Sequence, residues 1–591
     1  MNIQQMTARA MKALRPPPRM RLSEWIEKDV RLPEGVSALP GRVRLYPYQT
    51  EIADAIGDPK IERVTLVKAV RVGFTTLLTS AIGSFVANDP AAIIALLPTD
   101  DDARDYVVSD VEPIFSASPV LAGLLDGDTD EAGRNTMMSR RFPGGSLKVL
   151  SAKAPRNLRR HNARVLFIDE ADAMAPTPEG SPLVLAERRT LSYPDRKIVI
   201  GSTPVDTDTS NVLRTYAQSD QRVFEVPCPD CGEFSEIRWK DIRWPEGKPA
   251  AAYYACPHCG SCVEERHKAD MVAKGRWRAT APHVEGHAGF RVNALVSPLA
   301  NAAWGKLATE FLAAKDDPDT LRTFINTILA EGTGDEADTG LDEVELLERV
   351  EPFGIGAIPA DVLYLTVGCD VQDDRLEATV VGWDREGGAY VLDHQLLFGS
   401  PGEDATWRQL DELLTARWKH PLGGMIGIDA ACVDSGDGDW TQAVYRFAFP
   451  RARRRVMAIK GMAGSRAVIE RSKSKVAGGA LWIVGVDGVK RTIVDRLSRA
   501  VKMRFSDSLD LSFFEQLASE RRIVRYTRGQ PVARWERKPG RAAEALDCTV
   551  YAFAARQVVP SNFDNRAAEL AEEPRAPTRP RVIKSRWMEG N

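Results

Sequence analysis

At 591 residues the chain exceeds what one hydrophobic core organises, so it should divide into two to four domains. Its 43% hydrophobic and 27% charged residues describe a folded globular protein and exclude a disordered or fibrous one. With 79 basic against 82 acidic residues the net charge is −3, so any DNA contact must come from local basic patches and not from a basic chain.

No stretch approaches 18 uninterrupted apolar residues, and the N-terminus lacks the apolar run of a secretory signal. The expectation is a cytoplasmic protein with no membrane partner. Cysteine usage agrees. Of eight cysteines, five crowd into 228–262, while Cys369, Cys432 and Cys548 are scattered. That clustering predicts a metal site in place of a secreted disulfide framework.

Residues 1–40, basic and proline-rich (ALRPPPRMRLSEW), read as an N-terminal arm. From 41 to 335, apolar runs alternate with helical stretches. VTLVKAV (64–70), AAIIALLP (91–98), RVLFIDEAD (164–172) and RKIVIGSTP (196–204) end in Gly, Asp or Pro, as buried strands of a parallel sheet do. The first run leads into VRVGFTTLL, a strand, turn and helix able to bind phosphate on backbone N–H groups. Against G-x-x-x-x-G-K-[ST], Lys68 takes the first glycine position and Gly73 the second. Phe74 replaces the lysine, and Thr75, followed by Thr76, supplies the hydroxyl for Mg²⁺. As a strict motif the loop fails, yet Lys68 at its start can reach the phosphates, with Arg71 beside it.

About ninety residues on, the Val165–Ile168 strand ends in Asp169-Glu170-Ala171-Asp172. A carboxylate there can hold Mg²⁺ and the next can polarise water, Asp169 and Glu170 respectively. A third strand ends in Gly201-Ser202-Thr203-Pro204, the order of helicase-like ATPases. Upstream, Tyr46-Pro47-Tyr48-Gln49 suggests an amide on adenine with an aromatic ring against it. Each piece alone is ordinary packing or a solvated acidic turn; together they predict ATP binding with Mg²⁺.

Within 224–282, Cys228-Pro-Asp-Cys231 and Cys256-Pro-His-Cys259 form two knuckles able to place four thiolates around Zn²⁺. This predicts a structural zinc-ribbon insertion, with His258 a spacer and Cys262 a spare thiol. An acidic, glycine-containing connector follows, giving a linker at 336–355.

A second α/β pattern spans 356–558. LYLTVGCDVQDDRLEATVVGWD (363–384) reads as paired strands with Asp370 at the end of the first. GGMIGIDAACVD (423–434) is a further strand ending at Asp434, and Asp429 competes with it. Glu544 and Asp547 share one face of a late helix. Singly, each acid is an unremarkable strand-end or helix-surface residue. Carboxylates from two strands and a helix make the two-metal cradle of an RNase H-like nuclease, for Mg²⁺ or Mn²⁺. The tail, 559–591, reads as flexible.

Taken together, KAVRVGFTT, LRRHNARVLFIDEAD, the knuckles, TVGCDVQDDRLEATVVGWD, VDSGDGDWTQAVYRF and WERKPGRAAEALDCTVYAFAA resemble the large terminase subunit of lambda-type tailed phages, from about residue 20 to 558. The resemblance implies an α/β chain: a P-loop (RecA/helicase-like) ATPase with the ribbon insertion, then the nuclease. It implies a motor that pumps double-stranded viral DNA into a procapsid and cuts concatemers, working in the host cell cytoplasm. Lys68 and Thr75 would bind phosphate and Mg²⁺, Asp169 would bind Mg²⁺, and Glu170 would activate water. Asp370, Asp434 and Asp547 would hold the nuclease metals, with Glu544 a helper; Ala543 stands where the family often has Asn. Partners implied are a small terminase subunit at the N-terminal segment, the portal protein at the C-terminal tail, and further copies in a ring. Basic runs such as Arg451–Arg455 are available for DNA phosphates. A repair or restriction helicase-nuclease would need a second RecA-like domain, which the sequence does not display. A catalytically dead remnant bridging DNA and capsid would not need the acids at Asp169, Glu170, Asp370 and Asp547.

Overall fold

The computed structural model describes residues 20–34, 40–70, 72–125, 136–334, 341–464, 466–474, 476, 478–527 and 530–571. Arg71, most of the expected N-terminal arm and the tail beyond 571 lie outside them. The chain divides into two compact units. One comprises Met1–Lys315, Thr320–Gly334 and Tyr526–Val532; the other comprises Asp316–Asp319, Asp335–Arg525 and Ala533–Asn591.

The first unit is built on a ten-stranded sheet. Its centre runs His287–Val292, Arg63–Lys68, Lys197–Ser202, Val165–Asp169, Ala92–Leu97 and Gly145–Ser151, all parallel to their neighbours. The uninterrupted apolar runs are explained by burial on both faces. Val165 and Phe167 enter one core, Leu166 and Ile168 the other.

The expected insertion 224–282 needs correction at both ends. Arg222–Pro227 and Arg276–Ala279 pair antiparallel and belong to this sheet, Arg222–Pro227 lying parallel to His287–Val292. Phe234–Ser235 also pairs with Arg222–Pro227 at the edge of this sheet, and the small sheet of Ile242–Arg243, Tyr253–Ala255 and Cys262–Glu264 is separate from it. Even so, the intervening segment shares the unit's core through Ile237, Ile242, Tyr254 and Val263.

The second unit carries a nine-stranded sheet. Tyr364–Val371, Arg375–Trp383 and Ala389–Phe398 form an antiparallel meander. Ala430–Asp434, Val456–Met462 and Leu481–Gly485 extend it in parallel from Tyr364–Val371. The helix Glu544–Arg556 crosses one face so closely that a β-carbon at Gly368 would lie 1.8 Å from the carbonyl oxygen of Cys548. Thr366 Oγ1 donates to the Ala552 carbonyl at 2.9 Å, fixing the crossing.

Three expectations change here. The strand expected over 423–434 breaks at Ile428 and Asp429, because Met425–Gly427 pairs with Arg417–Lys419 in a separate ribbon. The linker expected over 336–355 falls within this unit and has regular structure from residue 343. Glu343–Leu347 is a helix capped by Asp342 that buries Leu346, and Val350–Glu351 pairs with Met503–Ser506. The tail expected to be flexible from 559 begins with a docked helix, Phe563–Ala571, which buries Leu570 and sets Phe563 edge-on to Tyr364.

Candidate functional sites

In the first unit, the strand Arg63–Lys68 leads through a short loop to the helix Phe74–Ala87, with Gly73 as N-cap in the left-handed region, φ 73°. The loop is held from outside. Gln49 Nε2 donates to the Val72 carbonyl at 2.8 Å, while its Oε1 accepts from the Tyr46 N–H at 2.8 Å. The amide that the sequence assigns to adenine is thus engaged with the loop itself. Tyr48 is fully buried and stacks on Tyr46, so Tyr46 is the more accessible ring.

Phe74, in the position where the motif has lysine, is buried and fills space that Gly201 leaves open; a β-carbon on Gly201 would lie 2.2 Å from its ring. A cation cannot occupy that pocket. The positive charge comes from Lys68, whose ammonium lies 2.5 Å from Glu170 Oε1 and 3.5 Å from Asp169 Oδ1. Burial would lower the pKa of this lysine, but the two carboxylates outweigh it and raise the value above the ordinary one. Burial raises the Asp169 carboxyl against the pull of Lys68. Thr75 Oγ1 faces Asp169 Oδ2 at 3.5 Å, and Thr76 lies half-buried in the same helical turn. Lys68, Thr75, Asp169 and Glu170 therefore converge at one end of the sheet. Glu170 has φ 53°, a left-handed backbone that strains a non-glycine residue.

Asp172 was given no separate role from sequence. It accepts from the N–H groups of Val205 at 3.1 Å and Val212 at 2.9 Å and from Ser210 Oγ at 2.5 Å. Its own N–H donates to Ser202 Oγ at 3.1 Å, tying the acidic strand end to the Gly201–Pro204 turn.

The four knuckle sulfurs all lie within 4.8 Å of one another, with Cys228 to Cys259 at 3.9 Å and Cys231 to Cys256 at 3.8 Å. Tetrahedral thiolates about 2.3 Å from an ion stand about 3.8 Å apart, so the donor set fits one. Both knuckles turn alike. The N–H of Gly232 donates to the Cys228 carbonyl and that of Gly260 to the Cys256 carbonyl, each at 2.9 Å with φ near 75° (78° and 75°). His258 and Cys262 stay outside the cluster.

In the second unit, Asp370 ends its strand beside the parallel strand that ends at Asp434, and Asp547 comes from the first turn of Glu544–Arg556. Burial, then the charges of Asp434 and Asp547, push the Asp370 carboxyl up to about 8. Asp434 goes up to about 6: burial raises it, the Gly436 N–H opposes, and Asp547 adds to the rise. Glu544 also adds to the rise at Asp370, although its Oε2 accepts from the Ala543 N–H at 2.9 Å.

Asp429 is elsewhere. It accepts from the Leu365 N–H at 2.9 Å and pairs with Arg566 at 3.0 Å. Leu365 precedes Asp370 by five residues, roughly 17 Å along a strand. Of the two competing aspartates, Asp434 is the one beside Asp370.

Sequence reasoning passed over Lys490 and Glu520. The Lys490 ammonium lies 3.0 Å from Asp547 Oδ1 and 2.9 Å from Glu520 Oε1. Its only signal was a lysine in an ordinary amphipathic helix. Nothing in that pattern marks burial.

Residues 37–277 match the family model for the ATPase domain of phage terminase large subunit gpA, and residues 287–567 match that for its endonuclease domain. The second match begins on the strand His287–Val292, which belongs to the first unit. The terminase large subunit of Enterobacteria phage P21 is 29% identical over 591 residues, covering 93% of this chain and 91% of the relative. That of Escherichia phage lambda is 28% identical over 613 residues, covering 96% and 94%. Among solved structures, the large terminase of a thermophilic bacteriophage aligns at 12% identity and TM-score 0.42, over 86% of this chain and 98% of that one.

Proposed function

The chain belongs to the large-subunit family of lambda-type phage terminases, as an ATPase joined to an endonuclease, and on that premise we propose that it drives double-stranded viral DNA into a procapsid and cuts concatemeric DNA at each end of packaging. The observation that carries this reading is a separate carboxylate cluster in each unit, one beside a lysine-bearing phosphate loop and one without such a loop.

In the ATPase site, Lys68 and the N–H groups of the loop bind phosphate, and Thr75 and Asp169 hold Mg²⁺, which neutralises phosphate charge when bound. Arg71 and Thr76 belong to the same stretch of sequence and join them. Lys68 and Glu170 are paired at 2.5 Å. A γ-phosphate competes for that ammonium, and its arrival releases Glu170 to orient the attacking water. Hydrolysis is thereby tied to occupancy of the loop.

In the nuclease site, Asp370, Asp434 and Asp547, with Glu544 beside them, suit a pair of Mg²⁺ or Mn²⁺ ions. Such ions, when bound, polarise the scissile phosphate and the attacking water. Burial, with the charge of Asp547 added to it, raises Asp370 and Asp434, and bound cations would offset that cost. Cys228, Cys231, Cys256 and Cys259 suit a structural Zn²⁺, all four positions being filled by protein. Partners follow from the family: double-stranded DNA, the portal or procapsid, a small terminase subunit and a homo-oligomeric ring, in the host cytoplasm. A helicase-nuclease would need a second motor unit, and the second unit matches the endonuclease model instead.

The test is plasmid cutting with Mg²⁺ or Mn²⁺ alongside ATP hydrolysis, for wild type, Asp370→Ala and Lys68→Ala. Asp370→Ala should abolish cutting and keep ATP turnover, and Lys68→Ala should do the reverse. Cutting that survives in Asp370→Ala would remove the nuclease assignment.

A further inference from the structure

The helix Val486–Ser498 (VDGVKRTIVDRLS) should point its lysine to water, as charged positions of amphipathic helices do. Lys490 instead has a side chain only 8% exposed, beside Glu520 at 9%. Its Nζ lies 2.9 Å from each Glu520 oxygen and 3.0 Å from Asp547 Oδ1. An ammonium carries three hydrogens. Three short contacts use all of them, so Lys490 has none left for a DNA phosphate. The contacts also join three elements: this helix, the strand Glu520–Thr527 and the helix Glu544–Arg556.

A structural purpose alone would not need Asp547. A buried Lys–Glu pair contributes little stability compared with apolar residues in the same space. What the third contact achieves is directional. It holds Oδ1 of Asp547, while Oδ2 lies 3.8 Å from Arg537 Nη2. The charges of Asp370 and Asp434 repel the Asp547 carboxylate, and the Lys490 ammonium offsets that repulsion.

We propose that Lys490, clamped by both oxygens of Glu520, is a positioning residue of the nuclease centre: it acts through Asp547, fixing the orientation of that carboxylate beside Asp370 and Asp434. The proposal rests on the nuclease reading.

The test uses the full-length protein. Lys490→Met combined with Glu520→Leu removes both charges at once and avoids stranding a buried ion. ATP turnover should stay at the wild-type level, showing a folded chain. The kcat for plasmid cutting should fall 10–100-fold, about the effect of losing a partner that orients a metal ligand, while KM for DNA stays constant. Binding of Mn²⁺ to DNA-free protein, followed by electron paramagnetic resonance, should weaken about tenfold. Lys490→Arg, with Glu520 kept, should recover part of the lost kcat. Glu520→Gln loosens the clamp with little change of shape and should lower kcat about tenfold, which covers the case in which the double variant does not fold. Wild-type kcat and Mn²⁺ affinity in either folded variant would overturn the proposal. Asp370→Ala run in parallel separates the two levels: if it still cuts, the nuclease reading fails and not merely the role of Lys490.

Discussion

Gly73 shows how little freedom the phosphate loop has. Its φ of 73° disfavours any L side chain, and a β-carbon there would meet Gln49 Nε2 at 2.7 Å. Gly73→Ala must therefore shift the loop or break the Gln49 contact, at a local cost of roughly 1–2 kcal/mol. The expected result is about a tenfold rise in KM for ATP with cutting unchanged, read from steady-state hydrolysis; an unaltered KM would show the loop to be slack. The acids of the second unit make a pH prediction. Their folded-state pKa values of about 8 for Asp370 and about 6 for Asp434 stand above the ordinary aspartate value of 3.8. Between those limits the native state holds more protons than the unfolded chain, so stability falls as pH rises. The benefit is fully present below pH 3.8 and gone above about 8. With Mg²⁺ and Mn²⁺ omitted, the melting midpoint of the nuclease unit should drop between pH 5.5 and 9, and Asp370→Asn should remove most of that slope. A flat profile in wild type would contradict the buried, mutually repelling cluster. At this scale the sequence singled out residue types at strand ends, and the structure brings Lys68 to Asp169 and Asp370 to Asp434. It was silent on Lys490 and Glu520, whose burial depends on three elements meeting, and on the hold that the Gln49 amide has on the phosphate loop.

Among elements, the strands were legible because both their faces are buried, which leaves continuous apolar runs such as VLFID. The docked helix Phe563–Ala571 was not, because FDNRAAELA has the polar look of a tail. Among what holds it are the buried Leu570, the aromatic edge of Phe563 and ion pairs from Asp564 to Arg385 and from Arg566 to Asp429. Arg566 meets Asp429 at 3.0 Å, and the pair's side chains are 19% and 14% exposed. Burial raises the Asp429 carboxyl and Arg566 pulls it back, so the partner is what keeps the charge tolerable. Arg566→Ala should then destabilise the nuclease unit by about 2–3 kcal/mol, short of the full value for a completely buried pair. Denaturant titration of that unit's transition reads it directly. Asp429→Asn added to Arg566→Ala should recover much of the loss, because the stranded charge is gone. No recovery would mean that Arg566 acts by packing on the Tyr364 ring, which it overlies at 5.4 Å.

For the whole molecule, the placing of the two cores decides what metal loss does. The cysteine spacing announces a self-contained ribbon, but the knuckle residues Cys228 and Cys256 and their neighbours Ile237, Tyr254 and Val263 are in one core with Val67, Leu78 and Phe290 of the ATPase unit. The nuclease unit has a core of its own, from Leu346 to Leu570. Two strands flanking the ribbon, Arg222–Pro227 and Arg276–Ala279, transmit any loosening straight into the sheet that carries Lys68. If the cluster holds an ion, its removal would cost the four sulfurs their shared bond and the turns at Gly232 and Gly260 their anchor. If that costs the ATPase unit about 3 kcal/mol, its melting midpoint falls by roughly 4 °C, the unit being large. Chelation with release of one zinc per chain, followed colorimetrically and by calorimetry, should thus lower the ATPase transition and ATP turnover together while the nuclease transition stays in place. Cys256→Ser should do the same without chelator. Zinc released with an unmoved ATPase transition would show the ribbon to be an independent module, and the shared core would be contact without coupling.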